Sequence, residues 1–139
     1  MIHQEWHLTP IGRVESPLKN TAAAPRQGDE GAPDSTLVID EEFAAALEGI
    51  NQGDTLIVLT WLHLARRDVL VVHPRGDATR PATGVFATRS PNRPNPIGLH
   101  QVQVTSVTGL CLGVRHLEAI DGTPILDIKP VLAPRISDR

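Results

Sequence analysis

A single cysteine, Cys111, stands among 139 residues, so the chain has neither a disulfide framework nor a cysteine zinc site. No apolar run approaches membrane-spanning length, and the opening MIHQEWHLTP has neither a basic segment nor an apolar segment of the secretory kind. A soluble, cytoplasmic protein is expected. No GxGxxG follows a strand, no phosphate-binding GxxxxGK occurs, and HExxH is missing, which removes most support for dinucleotide enzymes, nucleotide triphosphatases and zincins. There are no internal repeats and no low-complexity tract. Lysine is scarce, two against eleven arginines; arginine suits two-pronged recognition of anions, although a GC-rich genome produces the same skew. The net charge of -3 hides an asymmetry. Eight acids and no basic residue fall between Asp29 and Asp54, whereas six arginines face two acids between Arg66 and Arg93. One acidic and one basic face are expected, the latter able to meet a polyanion.

What is present is concentrated in Gly84 to Gly98, GVFATRSPNRPNPIG. Pro91, Pro94 and Pro96 fix three φ angles and remove three donors, and the residues before them are pushed toward extended geometry. A stiff loop results, with little entropy left to lose on binding. It carries Arg89 and Arg93 between strand-like flanks, Val85 to Ala87 before and Ile97 to Val104 after. Such a loop can hold an anionic ligand. Pro91 to Pro94 also fits PxxP, so a polyproline ligand or a plain stiff connector stands beside that reading.

The rest of the chain reads as short strands. Leu8 to Val14 is predicted as the first, and His3 and His7 as surface residues rather than metal ligands. Glu15 to Pro33 is a long loop with Arg26 and Gln27 as its candidate contact groups. Ser35 to Ile39 is a strand, and Asp40 is expected to cap a helix with Phe43, Ala46, Leu47 and Ile50 on one face. Thr55 to Leu64 is apolar enough to predict a strand covered on both faces, with His63 read first as a core histidine and second as facing a pocket. Arg66 to Asp68 turns the chain, Val69 to His73 returns, and another polar loop follows. Val102 and Val104 alternate with Gln101, Gln103 and Thr105. Thr108-Gly109 turns into Leu110 to Ile120, and Asp121-Gly122 signals a tight hairpin. In TPILDIKP the alternation puts Ile125, Asp127 and Lys129 on one face and Leu126 and Ile128 on the other. Asp127 and Lys129 either pair at the surface or line a polar pocket. About seven strands and one helix predict one mainly β domain, a small open or closed β-barrel.

Taken together, Ile11-Gly12, Ser16-Pro17, Pro25-Arg26-Gln27, Gly84 to Leu99 and DGTP…DIKP over Asp121 to Pro130 resemble the TsaA (YaeB-like) family, which includes TrmO-type tRNA methyltransferases. The resemblance covers about Ile11 to Leu132. It implies a single TsaA-like barrel domain, a homodimer, S-adenosyl-L-methionine as cofactor, no metal, and N6-methylation of threonylcarbamoyladenosine beside the tRNA anticodon. By motif position it carries cofactor binding to Pro25, Arg26, Gln27 and Arg89, and further to His63, Leu64, Leu99, Asp121, Gly122, Thr123 and Pro124. Asp127 is then the first candidate for the proton acceptor and His63 the second. Arg93, Asn95 and Lys129 are candidates for contact with the acceptor. Two departures stand out: Val131 occupies a position often held by tyrosine, and no second, C-terminal domain is expected because the chain stops soon after the barrel. Methylation of a small molecule, or a non-catalytic S-adenosyl-L-methionine-binding interaction module, are the alternatives.

Overall fold

The computed structural model describes residues 4–19, 34–73 and 79–132. His3, Pro25, Arg26 and Gln27 therefore lie outside the described residues. Six strands hydrogen-bond around a closed barrel in the order β1 (Gly12–Glu15), β2 (Ser35–Ile39), β7 (Cys111–Arg115), β6 (Ile97–Thr108), β3 (Thr55–Trp61) and β8 (Pro124–Pro130), and β8 pairs back onto β1. Two further strands, β4 (Val71–Val72) and β5 (Thr83–Gly84), form a separate two-stranded sheet. Every pairing is antiparallel.

Alternation fills the interior. Val14, Leu37, Val58, Val102, Val104, Leu112, Val114 and Ile125 point inward and are buried. β3 is not covered on both faces as predicted. Leu56, Val58 and Thr60 are buried, while Ile57, Leu59 and Trp61 are only half-buried on the outer face. It also ends at Trp61, because Leu62 N–H closes onto Pro96 O (2.8 Å) and the chain turns there, which leaves His63 exposed rather than in the core.

Other elements differ from the sequence reading for local reasons. The first strand starts at Gly12, after Pro10, which has no donor to give a ladder. The expected helix is a 3-10 helix, Glu41–Leu47. Asp40 makes no side-chain cap bond, Ala46 is exposed, and Phe43, Leu47 and Ile50 pack partly buried on the core. Val85–Ala87 is a 3-10 turn rather than a strand, with Val85 buried and Phe86 turned out. The seventh strand stops at Arg115, where His116 takes a left-handed φ of 73°. Asp121-Gly122 does turn, with Gly122 at φ 84°, but joins no hairpin, since β7 pairs with β2 and β6 while β8 pairs with β1 and β3. The eighth strand carries an irregularity: Thr60 faces Ile125 whereas Leu59 faces Asp127, so Leu126 is the extra residue. Ile125 and Ile128 consequently both reach the core, and Asp127 and Lys129 do not share a face with Ile125 as the alternation predicts.

Candidate functional site

Antiparallel pairing sorts the barrel into two unlike ends. At one, the Glu41–Leu47 helix and Ile50 cover the core with apolar side chains. At the other lie the C-terminal ends of β1, β3 and β7 and the N-terminal starts of β2, β6 and β8. This second end receives the proline loop, the turn after β3 with His63 and Leu64, and Asp121 to Pro124. It also holds all five buried polar residues among those described: Ser16, Ser35, Thr60, His100 and Thr123. A polar group inside a barrel costs free energy unless it is hydrogen-bonded, so their collection at one end marks that end as built for something besides stability.

An open cleft of about 540 Å³ lies there, lined by Arg13, Glu15, Ser16, Lys19, Asp34, Asp121 and Gly122 among others. Lys19 and Asp34, the described residues on either side of the segment that contains Pro25 to Gln27, both line it. Asp121 ties the rim together. Its carboxylate accepts from Ser16 N–H (2.9 Å) and from Lys19 Nζ (3.0 Å). These bonds, the backbone one foremost, with Arg13 adding a weaker attraction, hold its pKa below the ordinary carboxylate range. The donors of the DGTP turn are spent: Asp121 N–H goes to Leu18 O, Gly122 N–H to Val14 O and Thr123 N–H to Ile120 O, and Pro124 has none. Any ligand is thus met here by carbonyls and side chains rather than by backbone N–H groups.

The proline loop is fastened to the turn after β3. Arg67 donates to Pro94 O (2.7 Å) and Asn95 Oδ1 (2.9 Å) and lies over the Trp61 ring, 5.2 Å from its centroid. Asn92 Oδ1 accepts from Arg66 N–H, and Arg93 N–H donates to Arg66 O. Arg93, expected to meet an acceptor, instead turns its guanidinium back to three carbonyls of its own loop: Val85 (2.6 Å), Ser90 (2.9 Å) and Thr88 (3.1 Å). A planar fork suits that arc, which spends both Nη1 hydrogens and one on Nη2 within the loop. Asn95 is likewise committed through its oxygen. Arg89 contrasts with both. It is exposed, and no hydrogen bond or ion pair engages it among the described residues.

The outer face of the barrel carries the remaining candidates. Leu59 pairs with Leu99 on one side and Asp127 on the other, so the three form one outward row. Leu99 is 47% exposed. Asp127 and Lys129 pair at the surface, 3.3 Å apart, with side chains 50% and 52% exposed. The residues that sequence reasoning missed are internal: Thr60, His100 and Glu118, and also Arg67, which anchors the loop. A signal for His100 was present, since it sits two residues before Val102 on the same inward parity. Among the described residues no group of acids, histidines and cysteine is placed to hold a metal, and no helix is long and apolar enough to cross a membrane.

Comparison with known proteins agrees with the fold. An archaeal protein from Methanothermobacter thermautotrophicus, named as a probable S-adenosyl-L-methionine-binding protein, is 45% identical over 94% of this chain and 93% of its own length. An S-adenosyl-L-methionine-binding protein of Archaeoglobus fulgidus is 47% identical over 88% of this chain and 86% of its own length. A crystal structure of TrmO from Pseudomonas aeruginosa superposes with a TM-score of 0.76 at 31% identity, over 99% of this chain. The chain spans 61% of that protein's length. Residues 13–135 match the family model of the tRNA-methyltransferase O N-terminal domain, and the chain belongs to that family.

Proposed function

We propose that the chain is an S-adenosyl-L-methionine-dependent methyltransferase whose acceptor is tRNA, at N6 of threonylcarbamoyladenosine next to the anticodon. The observation that carries the reading is that the proline loop with Arg89, the His63-Leu64 turn and Asp121 to Pro124 all lie at the one polar end of the barrel. The residues there fit the cofactor: the cleft has the volume of an ordinary small-molecule site, its rim bears both charge signs, as an amino-acid zwitterion requires, and Arg89, without a partner among the described residues, suits a carboxylate. When bound, the cofactor supplies a sulfonium-activated methyl group. The protein's share is alignment and exclusion of water, for which a loop stiffened by three prolines and latched by Arg67 and Arg93 is suited. By motif position Arg26 and Gln27, outside the described residues, are assigned to the cofactor with Arg89, and His63, Leu64 and Leu99 to its apolar and stacking contacts. Lys129 meets RNA phosphate.

The acceptor amine must lose a proton, and Asp127, in one row with Leu99, takes it. Asp127→Asn should then slow single-turnover methylation by roughly 10²–10⁴-fold with cofactor binding intact. As a solvated partner of Lys129 it is worth only about 0–1 kcal/mol, so melting should barely move. Near-normal single-turnover rates would transfer the role to His63.

The functional form is a cytoplasmic homodimer. The closed barrel has no free strand edge for a partner to extend, so side chains must make the contact. What supports it is the exposed apolar Leu70, Val71 and Phe86, brought together by the β4–β5 pairing, the last 84% exposed. Light scattering should give twice the 15.0 kDa chain mass, and monomer alone at micromolar concentration would exclude it. Cofactor use itself is tested by melting the protein with increasing S-adenosyl-L-methionine. A ligand that binds only the folded state raises the melting temperature with concentration, and no shift would remove the reading.

A further inference from the structure

The barrel interior at the polar end contains a hydrogen-bonded chain that the proposed chemistry does not use. His100 Nε2 lies 2.7 Å from Thr60 Oγ1, and His100 Nδ1 lies 2.6 Å from Glu118 Oε1. Thr60 is 0% exposed and His100 4%. One hydrogen arrangement satisfies all three groups: the threonine hydroxyl donates to Nε2, and Nδ1–H donates to the carboxylate. The order hydroxyl, imidazole, carboxylate is that of a hydrolase triad, but here Thr60 cannot meet a substrate. It is fully buried, and Gly98 roofs it. A Cβ at Gly98 would collide with Thr60 Oγ1 and stand 2.6 Å from His100 Nε2 and 3.1 Å from Leu62 Cδ2. That approach explains why the RPNPIG stretch ends in glycine where it enters the barrel.

The three residues come from segments that each lead to a different part of the rim. Thr60 precedes Trp61 and the His63-Leu64 turn. Gly98 and His100 follow directly on the proline loop. Glu118 lies in residues 116–120, which belong to no strand and run into Asp121-Gly122. A stretch without ladder bonds depends on side-chain anchors for its position. We propose that Thr60, His100 and Glu118 are positioning residues: their chain of bonds fixes the 116–120 strap, and with it Asp121 and Gly122, against the exit of the proline loop and the end of β3. The consequence for cofactor binding rests on the function proposed above, whereas the positioning itself does not.

The test uses two readouts on Thr60→Val, nearly isosteric but without the hydroxyl, with Thr60→Ser as the conservative rescue. In the protein without cofactor, hydrogen exchange at the amides of Asp121 and Gly122 should quicken about tenfold in Thr60→Val, with core amides such as Val102 unchanged and Thr60→Ser near the parent. Calorimetry should show S-adenosyl-L-methionine binding weakened by a similar factor in Thr60→Val and restored in Thr60→Ser. Unchanged exchange at Asp121 and Gly122, or equal acceleration throughout the barrel, would overturn the proposal. If the parent protein itself binds no cofactor, the functional reading falls while the exchange result still decides the positioning role. Should Thr60→Val fail to fold, Glu118→Gln, which keeps shape and loses charge, is read by the same amides against the same outcomes.

Discussion

Arg89→Ala should weaken S-adenosyl-L-methionine binding about tenfold or more and leave the melting temperature where it is. The reason is a contrast within one loop. Arg93 is spent on three carbonyls, Arg67 on Pro94 and Asn95, and Arg66 on Asp68, whereas Arg89 is exposed with no partner among the described residues. A guanidinium without a partner among the described residues adds little to folding that its removal could subtract. On the proposed function, its contribution appears when a carboxylate arrives. The control is Arg66→Ala. Among the described residues the Arg66 side chain meets only Asp68, both exposed, while the loop contacts at this position are made by its backbone, which the substitution retains. Cofactor affinity of Arg66→Ala should stay near the parent value. Calorimetry that finds the two variants equal would take Arg89 out of the site.

Arg93→Ala should do the reverse in order of cause. Three carbonyls, those of Val85, Thr88 and Ser90, lose their shared donor, and the loop loses the strut that holds its two limbs together. Hydrogen bonds to a charged group are worth about 1.5–3 kcal/mol each at most, and part-exposed carbonyls recover water, so a net loss of about 2 kcal/mol is expected. In a chain of this size that lowers the melting temperature by roughly 5–10 °C. Cofactor binding weakens as well, because the loop carrying Arg89 is no longer held. Arg93→Lys should not rescue, since a single ammonium cannot span three acceptors in a plane. Full stability in Arg93→Ala would show that the prolines alone hold the loop.

The sequence is a good guide wherever one residue's neighbours decide its conformation. Ser35–Ile39 and Ile97–Thr108 announce themselves by composition and alternation, and the three prolines announce the stiff loop. The positive φ at Gly49, Gly53, Gly109 and Gly122 coincides with the turns that glycine suggests. Reading fails where a distant partner decides. Asp121-Gly122 has hairpin chemistry, yet its strands pair elsewhere around the closed barrel. The extra residue at Leu126 exists because β8 must satisfy the ladder of β3, and no local pattern records it. Arg89 and Arg93 are indistinguishable as letters, four positions apart. Only the fold shows that one is a latch and the other is open. The bonds of Thr60, His100 and Glu118 belong to three segments separated by up to fifty-eight positions in the chain.

The most direct measurement is transfer of labelled methyl from S-adenosyl-L-methionine to unfractionated tRNA, followed by digestion and identification of the labelled nucleoside. The expected result is time-dependent label in threonylcarbamoyladenosine at N6, greatly reduced with Arg89→Ala at low cofactor concentration and recovered in part when cofactor is raised. Label that never enters tRNA under conditions where the protein binds S-adenosyl-L-methionine would contradict the account.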